Sequence, residues 1–283
     1  HDDKSNLNIP LFGDISPDCS PLWLIDLPNS YLAKAFNSKN KGEVNANLLG
    51  WSNLWKNVKS APTTTEEALT SDGSKCFPNS GWFRPDSKKL SIFCRADKMG
   101  ITDYVGHHHQ DIYHFCLFYH GEPILVDSGR ESYEKKGSFG LSTSAHNSFL
   151  IDNLEAFPTN RRFLVKSYFK RQNRTSFGNN KKFSYINILS EGFTRMSPIK
   201  CVERKIKLFS NKFTITDSFS GVKKHEVKTY FHWDSKVMIE TLKNCCWQIN
   251  IGDLYGFFYL YGAGASSVKI FCGGESPLGW MSY

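Results

Sequence analysis

The feature that most limits the fold is a change of hydrophobic period near residue 75. From Cys76 onward, apolar and polar residues alternate in short runs, a pattern typical of strands with one buried face. Turn residues such as His120-Gly121 and Ser210-Asn211 separate several of these runs. Because the runs follow one another with no helical pattern between them, residues 76–283 are predicted to form an antiparallel β-sandwich. The predicted strands are 90–95, 112–119, 123–127, 147–151, 161–171, 200–209, 212–217, 226–233, 256–261 and 268–272.

Residues 1–75 have a helical period instead. Val44, Leu48, Trp51, Trp55 and Val58 recur at steps of three and four residues, which places them on one helix face. We therefore predict two parts, a short helical N-terminal extension over 1–75 and a mainly β domain over 76–283. The extension is too small to bury its large apolar face alone, so it requires a partner surface.

Charge and composition narrow the range of partners. The 35 Lys and Arg against 27 Asp and Glu give a net charge of +8, which favours a polyanionic partner. The basic residues are spread along the chain without zinc-finger spacing, so nucleic acid is not predicted. No apolar run approaches the roughly 18 residues that span a bilayer, and the polar N-terminus does not resemble a signal peptide. None of the eight cysteines forms a CxxC pair, which argues against a cysteine zinc cluster.

Several histidines and one aspartate form a candidate metal site. Strand alternation would place His107 and His109 of the Gly106–Asp111 segment on one face, where both could reach one ion. Asp127 closes an apolar run, and a buried carboxylate needs a partner. With His146 this predicts a site suited to Zn²⁺, with Fe²⁺ or Mn²⁺ not excluded. The simpler alternative is a surface histidine triplet and a His-Asn pair that bonds only backbone.

The order of these motifs resembles the heparinase II/III-like family of polysaccharide lyases over roughly 80–280. The similar segments are GHHHQD, GEPILVDSG, the following Tyr133 and STSAHNSFLID. The resemblance implies a supersandwich-like β domain and β-elimination of a uronic-acid-containing acidic polysaccharide. It also implies one structural zinc on His109, Asp127 and His146, and a catalytic position for His107. Tyr133 lies in a loop where some members place a catalytic tyrosine.

Two further residues are candidates for binding the substrate. Arg130 follows Asp127-Ser128-Gly129 and could hold a sugar carboxylate by planar paired hydrogen bonds, against the alternative of a surface arginine. His232 alternates with apolar residues and is expected to line the cleft wall or the core. The family resemblance favours a periplasmic or secreted location, and the sequence does not indicate an oligomeric state.

The chain departs from the family at its N-terminus. Members of the family carry an (α/α) toroid that supplies further catalytic residues, and residues 1–75 are similar only to the end of one. We therefore expect a partner toroid domain. A non-catalytic carbohydrate-binding or scaffold module is one alternative function. A cupin-type metal oxygenase is another, but His114 occupies the position where its first motif requires Glu.

Overall fold

The computed structural model describes residues 74–77, 81–87, 89–96, 109–129, 139–157, 173–195, 199–262 and 267–271. All of them belong to one compact unit. This part of the chain is mainly β, with antiparallel sheets and short 3₁₀ turns. Residues 1–73 of the predicted helical extension and the predicted strand at 161–171 lie outside the described residues, and Lys75, the last residue of the predicted extension, begins the first strand.

Fourteen strands are present in the described ranges. They are β1 (Lys75–Phe77), β2 (Trp82–Arg84), β3 (Leu90–Arg95), β4 (Phe115–Tyr119), β5 (Glu122–Leu125), β6 (Phe149–Ile151), β7 (Arg174–Asn179), β8 (Ser184–Ser190), β9 (Cys201–Leu208), β10 (Phe213–Ser220), β11 (Val227–Thr229), β12 (Met238–Lys243), β13 (Cys246–Ile251) and β14 (Leu254–Tyr259). Each pairs antiparallel with its neighbour. Hairpin connections therefore account for most of the topology.

The first sheet has the order β1-β2-β3-β4-β5. The predicted turn at His120-Gly121 joins β4 to β5, and both residues adopt positive φ angles of 51° and 87°. A two-residue hairpin turn between strands of right-handed twist requires a positive φ at both of its residues, and glycine adopts this conformation at no steric cost. The turn leads β5 back along β4 toward Asp127.

The second sheet has the order β10-β9-β8-β7. On β8 and β9 every second residue is buried, and the strand predicted at 200–209 corresponds to β9, while the predicted strands do not include β8. Ile186 and Ile206 pair across the two strands and join the same hydrophobic core as Ile92 of the first sheet. The inner faces of both sheets therefore contribute to one core, which also contains Tyr113 and Phe149 from the segments near the candidate site.

Two smaller sheets complete the described architecture. Strand β6 pairs with β11, and β12, β13 and β14 form a meander. No helix among the described residues is long and apolar enough to cross a membrane.

The predicted strand at 268–272 is wrong for its described residues. Residues 268–271 join no ladder, and Val268, Ile270 and Phe271 are each about half exposed. An alternating pattern forms a strand only where a neighbouring strand and a packing face are available. β14 pairs with β13 along one edge, and residues 268–271 pair with no described strand.

Candidate metal centre

Asp127 lies two residues after the end of β5, and its side chain is fully buried. Its Oδ2 is 3.0 Å from Nδ1 of His146 and 3.1 Å from Nε2 of His114. Its Oδ1 accepts the backbone N–H of Gly129 at 2.7 Å. The carboxylate therefore has three nitrogen partners, and this offsets the free-energy cost of burying its charge.

His146 follows the 3₁₀ turn Thr143–Ala145 and precedes β6. Its side chain is also fully buried. While Nδ1 faces Asp127, Nε2 is buried without a hydrogen-bond partner among the described residues. Nitrogen atoms are rarely left unpaired in a protein interior, so this atom marks a place where a further group can bind.

His114 completes a group of three whose ligand atoms lie within 4.8 Å of one another. The ring is fully buried, and Nδ1 accepts the backbone N–H of Asn147 at 2.8 Å. The Sγ of Cys116 is 3.6 Å from Nε2. His114 is not among the metal ligands predicted from the sequence. Its position at the start of an apolar strand is the signal that could have indicated it, because a buried imidazole there needs a partner.

A turn explains why His114 reaches the site. We predicted that 112–119 is a strand opened by the histidine segment, but the described residues before Phe115 do not form a strand. Tyr113 instead has a positive φ of 68°, and the backbone N–H of His114 donates to Asp111 at 2.9 Å. The predicted strand alternation therefore does not hold for residues 109–114, and the turn directs His114 toward Asp127.

His109 lies beside this group. It is buried, and its ring centroid is 5.6 Å from that of His146. The structure thus places the predicted ligand His109 next to the cluster, while the closest set of ligand atoms belongs to His114, Asp127 and His146.

Asn147 ties three segments together at the centre. Its side-chain amide donates to the carbonyls of Phe115 and Val126 at 2.8 and 2.9 Å, and its Oδ1 accepts the backbone N–H of His232 at 2.6 Å. These bonds fix the start of β4, the end of β5 and the residues after β11. The sequence does not indicate that the Asn147 side chain joins three segments. The alternative in which the His-Asn pair bonds only backbone does include such hydrogen bonds.

The charges of the cluster depend on one another. Burial favours the neutral form of Asp127, but His146 and His114 outweigh it and hold the pKa of the carboxyl well below its usual range. Burial lowers the pKa of His114. Burial also opposes protonation of His146, yet the adjacent Asp127 raises the pKa of that ring. The centre is therefore an anionic carboxylate beside one neutral and one readily protonated imidazole.

His232 is close to the cluster but bonded elsewhere. The residue is 8% exposed, and its Nε2 donates to the backbone carbonyl of Ser144 at 2.9 Å. Burial is the main cause that lowers its pKa to about 4. This neutral histidine fits the expectation of a residue of the core or cleft wall. His107, Arg130 and Tyr133 lie outside the described residues.

The residues fit a metal ion. Two ligands about 2.0–2.1 Å from a tetrahedral zinc ion are separated by about 3.3 Å, close to the 3.0 Å between Nδ1 of His146 and Oδ2 of Asp127. Imidazole nitrogen and carboxylate oxygen suit Zn²⁺, and the unpartnered Nε2 of His146 can carry the ring proton while Nδ1 binds an ion. The buried group of His114, Asp127 and His146 could therefore hold a metal ion.

Comparison with known proteins identifies the family of this chain. The family model described as heparinase II/III-like, C-terminal, matches residues 70–270, which is more than half of the chain. The chain belongs to the heparinase II/III-like family. The match contains every described residue of the metal centre. A search of curated proteins finds no match.

Several solved structures resemble part of this chain in fold. A heparinase III (BT4657 gene product) with methylated lysines matches with a TM-score of 0.50 and 20% identity, over 66% of this chain and 28% of that chain. The unmodified heparinase III has a TM-score of 0.49 and 19% identity, over 64% and 27%. A mutant of the heparan sulfate lyase HepC from Pedobacter heparinus has a TM-score of 0.48 and 14% identity, over 64% and 27%. At these identities the likeness concerns the fold, and the chain spans little more than a quarter of the length of those structures.

Proposed function

We propose that this chain is part of a polysaccharide lyase that cleaves a uronic-acid-containing acidic polysaccharide by β-elimination. The observation that carries the proposal is the buried His-Asp-His cluster within the segment that matches the lyase family. We further propose that the described sheets form the supersandwich-like β-sandwich of such an enzyme. The shared core of the first two sheets supports this, because two sheets that bury one common core are the basis of a sandwich.

In this proposal one structural Zn²⁺ ion is held by His109, Asp127 and His146. The ion would join the segment before β4, the end of β5 and the segment before β6, so its contribution is to fix the loops around the cleft. The complete burial of the Asp127 and His146 side chains supports a structural role, because a polysaccharide cannot touch them.

The proposed reaction needs a base, an acid and a group that offsets the substrate carboxylate. His107 takes the proton from C5 of the uronic acid, the C4–O bond breaks as a C4=C5 double bond forms, and Tyr133 gives a proton to the leaving oxygen. Arg130 pairs with the sugar carboxylate, which makes the C5 proton more acidic by stabilising the developing enolate charge. His232 lines the cleft as a neutral ring, since its Nε2–H is already bonded to Ser144.

Further proposals concern the rest of the protein. The net charge of +8 complements an acidic polysaccharide. The relatives named above are nearly four times as long as the part this chain matches, so we propose that an N-terminal (α/α) toroid supplies the other wall of the cleft, with residues 1–75 corresponding to its end. A periplasmic or secreted location fits a polysaccharide substrate.

The complete burial of the centre equally favours a second candidate, a carbohydrate-binding or scaffold module in which zinc only stabilises the fold. One experiment separates the two. The protein that carries this chain together with the proposed toroid domain is incubated with heparan sulfate and other uronic-acid polysaccharides, and both binding and the ultraviolet absorbance of unsaturated uronate are measured.

Product that disappears in His107→Ala and Tyr133→Phe variants supports the lyase. Binding with no product supports the module, and the absence of both binding and product contradicts both functions. Iron or manganese in place of zinc in the purified protein would favour the cupin-type alternative.

A further inference from the structure

His114 belongs to the buried cluster by distance, but its hydrogen bonds differ from those of His146. Its Nδ1 accepts the backbone N–H of Asn147 at 2.8 Å. A peptide N–H can only donate, so Nδ1 must present its lone pair there. The ring proton of a neutral His114 is therefore on Nε2, which lies 3.1 Å from Oδ2 of Asp127 and donates to it.

This arrangement leaves His114 without a nitrogen to bind a metal ion. Nδ1 is occupied by the peptide, and Nε2 would have to lose its proton, which turns the ring into an anion. His146 does not have this constraint. Its Nε2 is buried without a hydrogen-bond partner among the described residues, so Nε2 can carry the ring proton while Nδ1, which faces Asp127, presents its lone pair to the ion.

We propose that His114 is a positioning residue of the metal centre and not one of its ligands. The inference rests on the metal site of the proposed function and assigns a role within it. One neutral ring holds Asp127 through Nε2–H and holds the backbone of Asn147, the residue after His146, through Nδ1. His114 therefore sets the positions of two ligands at once, as hydrogen-bonded partners behind metal ligands commonly do.

A glutamine at position 114 tests this role. Its carbonyl oxygen can accept the Asn147 N–H and its amide can donate to Asp127, but a neutral amide is not among the usual zinc ligands. His146→Gln is the matched control, because it makes the same change at a residue proposed to bind the ion. Zinc per chain is measured by elemental mass spectrometry, zinc affinity by competition with a chelator, and folding by circular dichroism.

We expect His114→Gln to keep one zinc per chain with affinity close to the unchanged protein. His114→Ala should also bind one zinc at saturation, but about 10- to 100-fold more weakly, as for other residues behind metal ligands. His146→Gln should lose the zinc. If His114→Gln loses zinc to the same extent as His146→Gln, His114 is a ligand and the inference is wrong.

A second measurement does not depend on the variants. Nitrogen chemical shifts of the imidazoles in the unchanged protein report which ring nitrogen carries the proton. His114 should show a protonated Nε2 both before and after zinc is added. Loss of that proton on zinc binding would overturn the inference while leaving the metal site intact, whereas a protein that binds no zinc would overturn the proposed metal site itself.

Discussion

Arg204 of β9 is a fully buried side chain that connects the second sheet to the metal centre. Its Nε and Nη2 donate to the two carboxylate oxygens of Asp217 at 2.7 Å each. Its Nη1 donates to the backbone carbonyls of Tyr113 and Asn147 at 2.8 and 2.7 Å. These carbonyls belong to the residues next to His114 and His146, so the guanidinium fixes the backbone on both sides of the cluster.

The perturbation is Arg204→Met, which keeps part of the side-chain volume but removes the guanidinium, whose Cζ lies 5.0 Å from the ring centroid of Phe149. Two buried carbonyls would lose their donor, at about 1–3 kcal/mol each. Asp217 would lose its partner but keeps some water, since its side chain is 22% exposed. Removing one member of a buried pair costs about 3–5 kcal/mol in general, and we expect a loss of unfolding free energy in that range.

The assay is urea unfolding followed by circular dichroism, with zinc affinity measured on the same samples. Arg174→Met is the matched control, because Arg174 is 71% exposed and its contact with Glu191 is 3.5 Å long. The control should change stability by no more than about 0.5 kcal/mol. If Arg204→Met does not fold, Arg204→Lys provides a milder change that keeps the charge but not the paired hydrogen bonds. A loss below about 1 kcal/mol for Arg204→Met would refute the reasoning, since each unsatisfied carbonyl alone should cost that much.

Three further predictions concern the surroundings of the centre. Asp127→Asn should abolish zinc binding in elemental analysis while the protein stays folded, because an amide keeps the shape of the carboxylate but not its charge; retained zinc would contradict this. Asn147→Ala should lower the unfolding free energy by about 3 kcal/mol, about 1 for each side-chain bond, and a neutral effect would mean that these bonds do not hold the segments together. The lowered pKa of His232, about 4 against 6.5, means that the folded chain binds fewer protons than the unfolded chain between these values, so stability should rise with pH by up to about 3 kcal/mol from pH 4 to 6.5 and then level off. Urea unfolding at several pH values should show a smaller rise in unfolding free energy for His232→Gln than for the unchanged protein. An equal rise would assign the pH dependence to other groups.

The strands that the sequence predicts well are those with one apolar row and a clear turn. The pattern of Val202, Ile206 and Leu208 and the Ser210-Asn211 turn correctly predict the β9–β10 hairpin. The same alternation places Arg204 in the buried row, and the hairpin register then brings it opposite Asp217. The charge pair could thus have been predicted from the turn position.

Other elements have no such signal. Strand β12 has largely exposed residues, so no apolar row identifies it, and the three-residue strands β1 and β2 are too short to show a period. Each of them pairs with the next strand along the chain, but their own residues show no period from which the strand could be predicted.

The candidate site was predictable in part. Asp127 and His146 were found because a carboxylate after an apolar run and a histidine before the next run both need buried partners. His114 was missed because the turn at Tyr113 breaks the alternation on which the argument depended. A residue with positive φ changes the direction of the chain, so the side chains that follow it no longer face the sides that alternation predicts. The sequence Tyr113-His114-Phe115 contains no glycine or asparagine that would indicate such a conformation.

The most direct test of the metal centre is anomalous diffraction at the zinc absorption edge from crystals of the purified chain. The account predicts one strong peak at about 2.0–2.2 Å from a side-chain atom of both Asp127 and His146. A zinc peak elsewhere in the molecule, or none in crystals grown with zinc present, would contradict it.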